Sequence, residues 1–251
     1  MIIFNGVPMK RIILAYPALV FAALVVCTGC RTPEKKPAPE TNAVLIGTNR
    51  LSAIECSMLS QGLVDISGYD PSIKVALAYS STDNFLGRDV YGDLEKCYLL
   101  SGAAAMITNA QALLKKSHPG YSLVVYDGAR PVSVQEAMWE LVKDTPQKIY
   151  VADPAKGSIH NYGGAVDLTV ADPDDIPLDM GTPFDSFSGL SQPKYEEKFL
   201  KEKLLTYTQY SNRLILREVM LGAGFSGIPN EWWHFNAYPK DEIKKKYKTI
   251  K

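Results

Sequence analysis

The sequence predicts a single compact α+β domain with a small antiparallel sheet and flanking helices. Short β-branched runs alternate with longer segments of helical periodicity, and no internal repeat is present. Apolar residues make up 46% of the 251 residues, enough for one sizeable core. The 27 basic and 27 acidic residues cancel, so no net charge favours nucleic acid as a partner.

Residues 1–29 have the pattern of a lipoprotein-type signal peptide. Lys10 and Arg11 precede an uncharged stretch over residues 12–29, and small residues lead up to Cys30. This ending resembles the lipobox of bacterial lipoproteins, in which the cysteine is lipidated and becomes the new N-terminus. The resemblance implies an exported protein, attached to a membrane through lipidated Cys30 and facing the periplasm or the cell exterior.

A single membrane-spanning helix is the alternative for this stretch, but Pro17 interrupts it and its length is at the short limit for a span. Residues 30–45 are rich in proline and charge and cannot bury apolar area, so we expect a tether there. Residues 46–251 then form the folded domain. Within it, Cys56 and Cys97 either form a disulfide or stay as buried free thiols.

The first half of the domain begins with a strand predicted over residues 73–79. A helix follows over residues 101–116, which His118 in a His-Pro-Gly sequence ends. Residues 122–126 are a short β-branched run and predict a second strand. A capping box formed by Ser133 and Glu136 is expected to open the next helix.

The second half contains a long helical stretch over residues 194–221, with a possible break near residues 206–209. Gly222 and Gly224 end it. A last strand is predicted near residues 232–236.

Candidate metal ligands occur in the segment 158–167. If Gly163 and Gly164 form a two-residue hairpin turn, His160 lies directly across from Asp167. Cross-strand neighbours are about 4.5–5.5 Å apart at Cβ, close enough for both side chains to reach one ion. The alternative is a hydrogen-bonded His–Asp pair without a metal, and the spacing alone leaves the two open.

A third ligand is available in His234, and Glu231 supplies a carboxylate three residues earlier. Zinc held by three protein ligands keeps an open position and acidifies water there. A carboxylate beside such a site but not bound to it can act as general base. Ideal strand geometry points Glu231 and His234 to opposite faces, so we expect a bend or bulge between them.

Arg130 is the candidate for stabilising negative charge on a substrate carbonyl oxygen. It follows a predicted strand and precedes a helix, a common place for functional side chains. Asp127 is placed to orient it, although a helix-start salt bridge is the alternative. Trp232 and Trp233 are expected in the core and in the wall of the pocket.

Three motifs together resemble the zinc D-alanyl-D-alanine dipeptidases of the vancomycin-resistance type, within the D-Ala-D-Ala metallopeptidases: SIHNYGGAVD at 158–167, EWWH at 231–234 and YDGARP at 126–131. Segments 78–87 and 180–185 also match. The resemblance implies one zinc ion per chain and the following roles: ligands His160, Asp167 and His234, general base Glu231, stabiliser of the tetrahedral intermediate Arg130, and substrate contacts Tyr79, Ser158 and Asp185.

The implied reaction is hydrolysis of D-Ala-D-Ala to two D-alanines, with Asp185 facing the ammonium group of the dipeptide. Resistance enzymes of this type act in the cytoplasm, whereas this chain carries an export signal, so a role in cell-wall peptide turnover is expected. The alternative within enzymes is a D,D-carboxypeptidase or other peptidoglycan peptidase acting on longer stem peptides. A non-catalytic wall-binding lipoprotein and a structural zinc protein are the alternatives from other classes.

Overall fold

The structure is a computed structural model that describes residues 51–251. The predicted signal peptide, tether and lipidated cysteine lie outside the described residues. Within the described range the chain forms six α-helices and seven β-strands. The helices are α1 (Ala53–Ser60), α2 (Ser101–Ser117), α3 (Val132–Val142), α4 (Glu196–Lys201), α5 (Tyr207–Gly222) and α6 (Lys240–Lys246), and the strands are β1 (Leu63–Asp65), β2 (Lys74–Val75), β3 (Tyr98–Leu100), β4 (Ser122–Asp127), β5 (Ala165–Ala171), β6 (Ser226–Gly227) and β7 (His234–Asn236).

Two sheets form the β part of the domain. Strands β1 and β3 make a two-stranded antiparallel sheet. The larger sheet has the order β2-β4-β5-β7-β6, in which β2 runs parallel to β4 and all other neighbours are antiparallel. The predicted α+β class is confirmed. The small antiparallel sheet of the prediction corresponds to four strands of this larger, mixed sheet.

Strand β5 is the centre of the larger sheet, and every one of its residues is buried. Val166, Leu168 and Val170 belong to the hydrophobic core, while Asp167 and Thr169 lie on the opposite face because side chains alternate along a strand. Helices α2 and α5 pack against each other and contact β4 and β5 respectively. One face of the sheet thus anchors the core and the other presents polar groups.

Helix α2 confirms the prediction for residues 101–116. Its buried side chains include Ala103, Ile107 and Leu114, which recur at helical spacing. His118 ends the helix, its backbone N–H bonded to the Leu114 carbonyl, and its ring packs on Tyr121.

The strand predicted over residues 73–79 is wrong in its length. Only β2 is extended, and a 3₁₀ helix follows at Ala78–Ser80. The reason is a tertiary contact: the Tyr79 carbonyl accepts hydrogen bonds from the backbone N–H groups of Val90 and Tyr91. These bonds turn the chain away from the sheet edge and bury the Tyr79 side chain.

Helix α3 forms where predicted, but without the capping box of Ser133 and Glu136. Pro131 occupies the N-cap position, and no side chain caps the helix. Instead, the N–H of Val132 donates to the carbonyl of Ile250 at 2.8 Å. The C-terminal segment therefore accepts a hydrogen bond from the first N–H of the helix, a contact that the local sequence does not indicate.

The predicted stretch 194–221 is divided into α4 and α5. Thr206 starts α5 with a capping box, in which its hydroxyl accepts from the Gln209 N–H and the Gln209 side chain accepts from the Thr206 N–H. The break therefore comes just before the predicted position, and α5 ends at Gly222 as expected.

The sequence leaves the state of the two cysteines open. Cys56 and Cys97 are both free; Cys56 is exposed and Cys97 is buried. No helix among residues 51–251 is long and apolar enough to cross a bilayer.

Candidate metal centre and active site

The hairpin predicted around Gly163 and Gly164 is wrong. Residues Ile159–Tyr162 form a 3₁₀ helix, and Gly163 ends it with a φ of 69°, its N–H bonded to the carbonyls of His160 and Ile159. Such a left-handed C-cap favours glycine as strongly as a type I′ turn does, so the two are hard to tell apart in the sequence. His160 is thus held on a 3₁₀ helix, not on a strand opposite Asp167.

The residue that lies across from Asp167 is His234. Strands β5 and β7 pair antiparallel with Asp167 and His234 in register. Strand β7 begins only at His234, and Trp232 and Trp233 form the bend that the sequence requires between Glu231 and His234. Both tryptophans are buried, as predicted.

The structure brings His160, Asp167 and His234 together as a group able to hold a metal ion, with their ligand atoms all within 4.8 Å of one another. Nε2 of His160 is 3.1 Å from Nδ1 of His234 and 3.3 Å from Oδ1 of Asp167. The His234 nitrogen is 2.9 Å from the same oxygen. For bonds of about 2.0 Å, the edges of a tetrahedral site measure about 3.3 Å, so these separations suit one ion.

The outer hydrogen bonds of the two imidazoles fix their tautomers. Nδ1 of His160 donates to the carbonyl of Gly128 at 2.8 Å, and Nε2 of His234 donates to Oδ1 of Asn236 at 2.8 Å. The inner nitrogens therefore carry lone pairs, which face each other and the Asp167 carboxylate. Converging acceptors repel one another unless a cation lies between them, and two nitrogens with one carboxylate are a donor set that zinc accepts.

Asp167 is ionised in this arrangement. Burial alone would raise its pKa, but without a metal the imidazoles of His160 and His234, when protonated, hold the pKa well below its usual range through their charge and hydrogen bonds. Its second oxygen, Oδ2, lies 3.3 Å from Nη2 of Arg130, which adds a positive neighbour outside the three-residue group. The carboxylate thus links the candidate metal centre to the arginine.

Arg130 is buried and held from several sides. Its Nε donates to Oδ2 of Asp127 at 2.7 Å, its Nη2 donates to the same oxygen, and its Nη1 donates to Oε1 of Gln135 at 3.0 Å. The guanidinium carbon also lies 5.3 Å from the centre of the Tyr79 ring. Burial would lower the pKa of Arg130, but Asp127 raises it well above its usual value. Asp127 therefore orients the arginine, as predicted.

Both carboxylate oxygens of Asp127 accept hydrogen bonds. The Tyr91 hydroxyl donates to its Oδ1 at 2.5 Å, and the Gly128 N–H donates to the same oxygen at 2.9 Å. Because the Gly128 carbonyl also accepts from His160, the segment 127–130 supports both the arginine and one imidazole.

Glu231 borders the same cavity as the three-residue group. Burial raises the pKa of its carboxyl to about 8; His234 and Arg130 lower the pKa, while the carboxylates of Asp167 and Asp185 raise it. The group is therefore poised to hold or release a proton near neutral pH.

Asp185 and Tyr79 form a second polar pair in the cavity. The Tyr79 hydroxyl donates to Oδ2 of Asp185 at 2.5 Å, and burial raises the pKa of the tyrosine so that it stays protonated. The backbone of Asp185 has a φ of 57°, a left-handed conformation that is unfavourable for a residue other than glycine. Aspartate tolerates this conformation better than most other residues, so the turn can carry a carboxylate at this position.

Ser158 also borders the cavity and is buried. Its hydroxyl oxygen caps the 3₁₀ helix by accepting from the His160 N–H at 3.4 Å. In return, Oδ1 of Asn161 accepts from the Ser158 N–H at 2.8 Å. Among residues 51–251 no acceptor takes the hydroxyl proton of Ser158, so the hydroxyl can donate to a ligand.

The cavity that collects these groups has a volume of about 300 Å³. Its polar wall contains the candidate ligands together with Arg130, Glu231 and Asp185, and its apolar wall includes Phe85, Phe187 and Trp233. All eight residues singled out by the sequence therefore line one cavity.

Some supporting residues have no sequence signal. Gln135 reaches the arginine from the helix that directly follows it, and Tyr91 reaches Asp127 from 36 residues away; neither local sequence indicates the contact. Asn236 is different, because it lies two residues after His234 on the same face of β7. Strand periodicity would have placed it beside the histidine.

The chain resembles known proteins along most of the described domain. A family model described as D-ala-D-ala dipeptidase matches residues 59–250. The chain is 35% identical to the D-alanyl-D-alanine dipeptidase of Escherichia coli (strain K12), over 69% of this chain and 83% of that protein.

Two further D-alanyl-D-alanine dipeptidases are each 28% identical to the chain. The one from Synechocystis sp. matches over 55% of this chain and 68% of its own length. The one from Enterococcus faecium matches over 62% of this chain and 82% of its own length.

Proposed function

The chain belongs to the family of D-alanyl-D-alanine dipeptidases, and from this premise we propose that it is a zinc-dependent metallopeptidase that hydrolyses D-Ala-D-Ala to two D-alanines. The observation that carries the proposal is the convergence of three lone pairs from His160, Asp167 and His234 in a cavity that also contains Glu231 and Arg130. These residues would hold one zinc ion. Zinc at this position supplies a Lewis acid that polarises a peptide carbonyl and acidifies water.

Glu231 is the general base of the proposed reaction. Its carboxylate takes a proton from the attacking water and passes it to the leaving amine. The raised pKa of about 8 suits a group that must both accept and return a proton near neutral pH. Among residues 51–251, the group of converging ligand atoms contains His160, Asp167 and His234 but not Glu231, which supports a role for this carboxylate beside the ligands.

Arg130 stabilises the negative charge that develops on the carbonyl oxygen. Its guanidinium is held by Asp127 and Gln135, so little reorganisation accompanies the reaction. Its permanent charge faces a cavity with three carboxylates, and it is the positive group nearest to Asp167.

Asp185 binds the ammonium group of the dipeptide, and Tyr79 holds the carboxylate in position through its hydroxyl. Ser158 donates its free hydroxyl proton to a substrate oxygen. A carboxylate that needs a free amine as its partner disfavours peptides with a blocked N-terminus, because it would stay desolvated and unpaired.

The proposed setting is outside the cytoplasm, in cell-wall peptide turnover. Support comes from the lipoprotein-type pattern of residues 1–29 and from the proline-rich tether over residues 30–45. In this proposal lipidated Cys30 anchors the protein to a membrane. Cell fractionation tests it: the Cys30→Ala variant should leave the membrane fraction, and its retention there would contradict the anchor.

The activity is tested with protein beginning at Thr41, which contains all the described residues. The zinc-loaded protein is incubated separately with D-Ala-D-Ala and with a stem pentapeptide ending in D-Ala-D-Ala, and released D-alanine is measured. Cleavage of the dipeptide that chelator abolishes and zinc restores supports the proposal. Release from the pentapeptide would instead identify a D,D-carboxypeptidase, and release from neither would contradict a peptidase of this specificity.

A further inference from the structure

Lys240 is a second cation in the wall of the substrate cavity. It is the first residue of α6, which packs against the 3₁₀ helix that carries His160. Among residues 51–251, no carboxylate oxygen lies within 4.0 Å of its ammonium nitrogen. The side chain is half-buried, so this charge has lost part of its hydration without gaining an ion pair.

The other cation of the cavity, Arg130, has no comparable freedom. Four of its five N–H donors are directed to Asp127, Gln135 and Asp167, which leaves one Nη1 hydrogen for the charge that develops on the carbonyl oxygen. Lys240 is therefore the cavity cation that can form a new ion pair without breaking an existing one.

The surroundings of Lys240 favour an incoming anion. Burial lowers its pKa, and the like charges of Lys244 and Lys156 lower the pKa further, against the opposing effect of Asp153 and Asp241. Nζ of Lys156 lies 3.9 Å from an Asp153 oxygen. The negative charge of Asp153 is therefore partly neutralised by Lys156 and compensates the charge of Lys240 less. An anion at this position would relieve the repulsion among the three lysines.

A free dipeptide carries one charge of each sign, and the cavity offers Asp185 for its ammonium group. We propose that Lys240 is a specificity-determining residue whose ammonium group binds the free C-terminal carboxylate of the substrate. The inference rests on the proposed function and extends it, because it predicts that the substrate is recognised by its free C-terminal acid. Both the ammonium donor and the carboxylate acceptor are charged, so this hydrogen bond is stronger than one between neutral groups.

The test compares D-Ala-D-Ala with its C-terminal amide as substrates of the wild-type protein and of Lys240→Met. The wild type should prefer the acid in kcat/KM by roughly ten- to a hundredfold, the range for a hydrogen bond between charged groups. Lys240→Met should raise KM for the acid by a similar factor, leave kcat almost unchanged and leave turnover of the amide unaffected. The matched control is Lys245→Met, an exposed lysine of the same helix, which should behave as wild type.

Lys240→Arg keeps the charge and should retain the preference for the acid. An equal loss of kcat/KM for the acid and the amide in Lys240→Met would indicate a structural role and overturn the inference, as would an unchanged ratio. If Lys240→Met fails to fold, Lys240→Gln provides the same comparison. A wild-type protein that cleaves neither substrate would refute the proposed function itself, which a failure confined to Lys240→Met does not.

Discussion

Arg130 and Arg213 are both buried and both form an ion pair with a carboxylate, but only Arg130 borders the substrate cavity. Arg130, with Asp127 and Gln135, forms what we term the site cluster. Arg213 lies in the scaffold cluster, where its Nη1 donates to Glu196 at 3.1 Å and Arg217 donates to the other oxygen of the same carboxylate at 2.6 Å. Both arginines are buried, with 8% and 2% of their surface exposed, and both are paired with a carboxylate.

The difference lies in where the remaining donors point. Arg213 donates to the backbone carbonyls of Met180 and Leu190, which lie on either side of Asp185 in the chain. Arg213 therefore ties down the segment that presents Asp185. Arg130 instead borders an open cavity beside three converging lone pairs.

Burial and pairing alone do not distinguish a catalytic arginine from a structural one. Burial lowers the pKa of Arg213 despite Glu196, whereas Asp127 and other anions hold the pKa of Arg130 above its usual value. Access to a ligand is the property that separates the two clusters. Substitutions in the cavity should therefore reduce activity first, and substitutions in the scaffold cluster should reduce stability first.

The largest expected effect on activity is that of Glu231→Ala. Loss of the base should reduce kcat by roughly two to four orders of magnitude, because proton transfer by a positioned group contributes that much. Zinc content and thermal unfolding should stay close to wild type, since Glu231 is assigned as a base and not as a ligand. A variant that loses its metal, measured by elemental analysis, would contradict this assignment.

Arg130→Ala should reduce kcat by roughly a hundred- to a thousandfold and change KM less, because its interaction strengthens only in the transition state. The substitution also leaves Asp127 buried without its partner, so stability must be measured in parallel. Arg130→Lys keeps a charge near Asp127 and separates the two effects. A change confined to KM in steady-state kinetics would make Arg130 a substrate anchor instead.

Arg213→Met should show the opposite pattern. Removal of one partner of a buried ion pair costs about 3–5 kcal/mol, and the lower end applies here because Arg217 still pairs with Glu196. Urea unfolding should show this loss, while kcat of the folded protein changes only a few-fold. If kcat instead falls as far as in Arg130→Ala at unchanged stability, the distinction between the clusters is wrong.

The smallest effect concerns pH and the Asp185–Tyr79 pair. Burial raises the pKa of Asp185 to about 7, and Asp167 and Asp127 raise it while Tyr79 and Arg130 lower it. Only the ionised form binds an ammonium group, so KM for D-Ala-D-Ala should fall roughly tenfold between pH 6 and pH 7.5. Asp185→Asn should have a high KM that is flat over this range.

Stability gives an independent measure of the same group. Because the pKa of Asp185 is higher in the folded protein than in the unfolded chain, its contribution to stability is present below the ordinary pKa and is lost as the pH rises through about 7. Asp185→Asn should therefore weaken the decrease in unfolding free energy between pH 4 and pH 7. An identical pH profile for wild type and variant would show that Asp185 does not titrate there.

Much of the architecture followed from local pattern. Helix α2 and strand β4 were predicted almost to their ends, because a long amphipathic period and a compact β-branched run are each determined within one segment. The sequence also indicated the orientation of Arg130 by Asp127, since three residues at a strand end leave little freedom. The roles assigned to the site residues stay predictions until they are measured.

The predictions of local structure failed where contacts with distant segments determine the backbone conformation. Gly163 fits both a hairpin turn and a helix C-cap, and the choice depends on contacts of the 3₁₀ helix such as the bond from the Asn161 amide to the Arg130 carbonyl. The Ser133–Glu136 capping box was not formed because α3 begins at Val132, with Pro131 at the N-cap, so that Ser133 lies inside the first turn; the Val132 N–H is bonded to the distant Ile250 carbonyl. Local propensity is a weak preference that such contacts override.

The sequence by itself determined the set of chemical groups: two histidines and three carboxylates around one arginine, in motifs that resemble one enzyme family. Only the tertiary structure decided how they meet, pairing Asp167 with His234 across β5 and β7 and bringing His160 to them on a separate 3₁₀ helix. It also placed Lys240 in the same cavity. The physical reason is that residue type fixes what a group can bind, whereas the distance between groups far apart in the chain depends on sheet register and packing, which no single segment encodes.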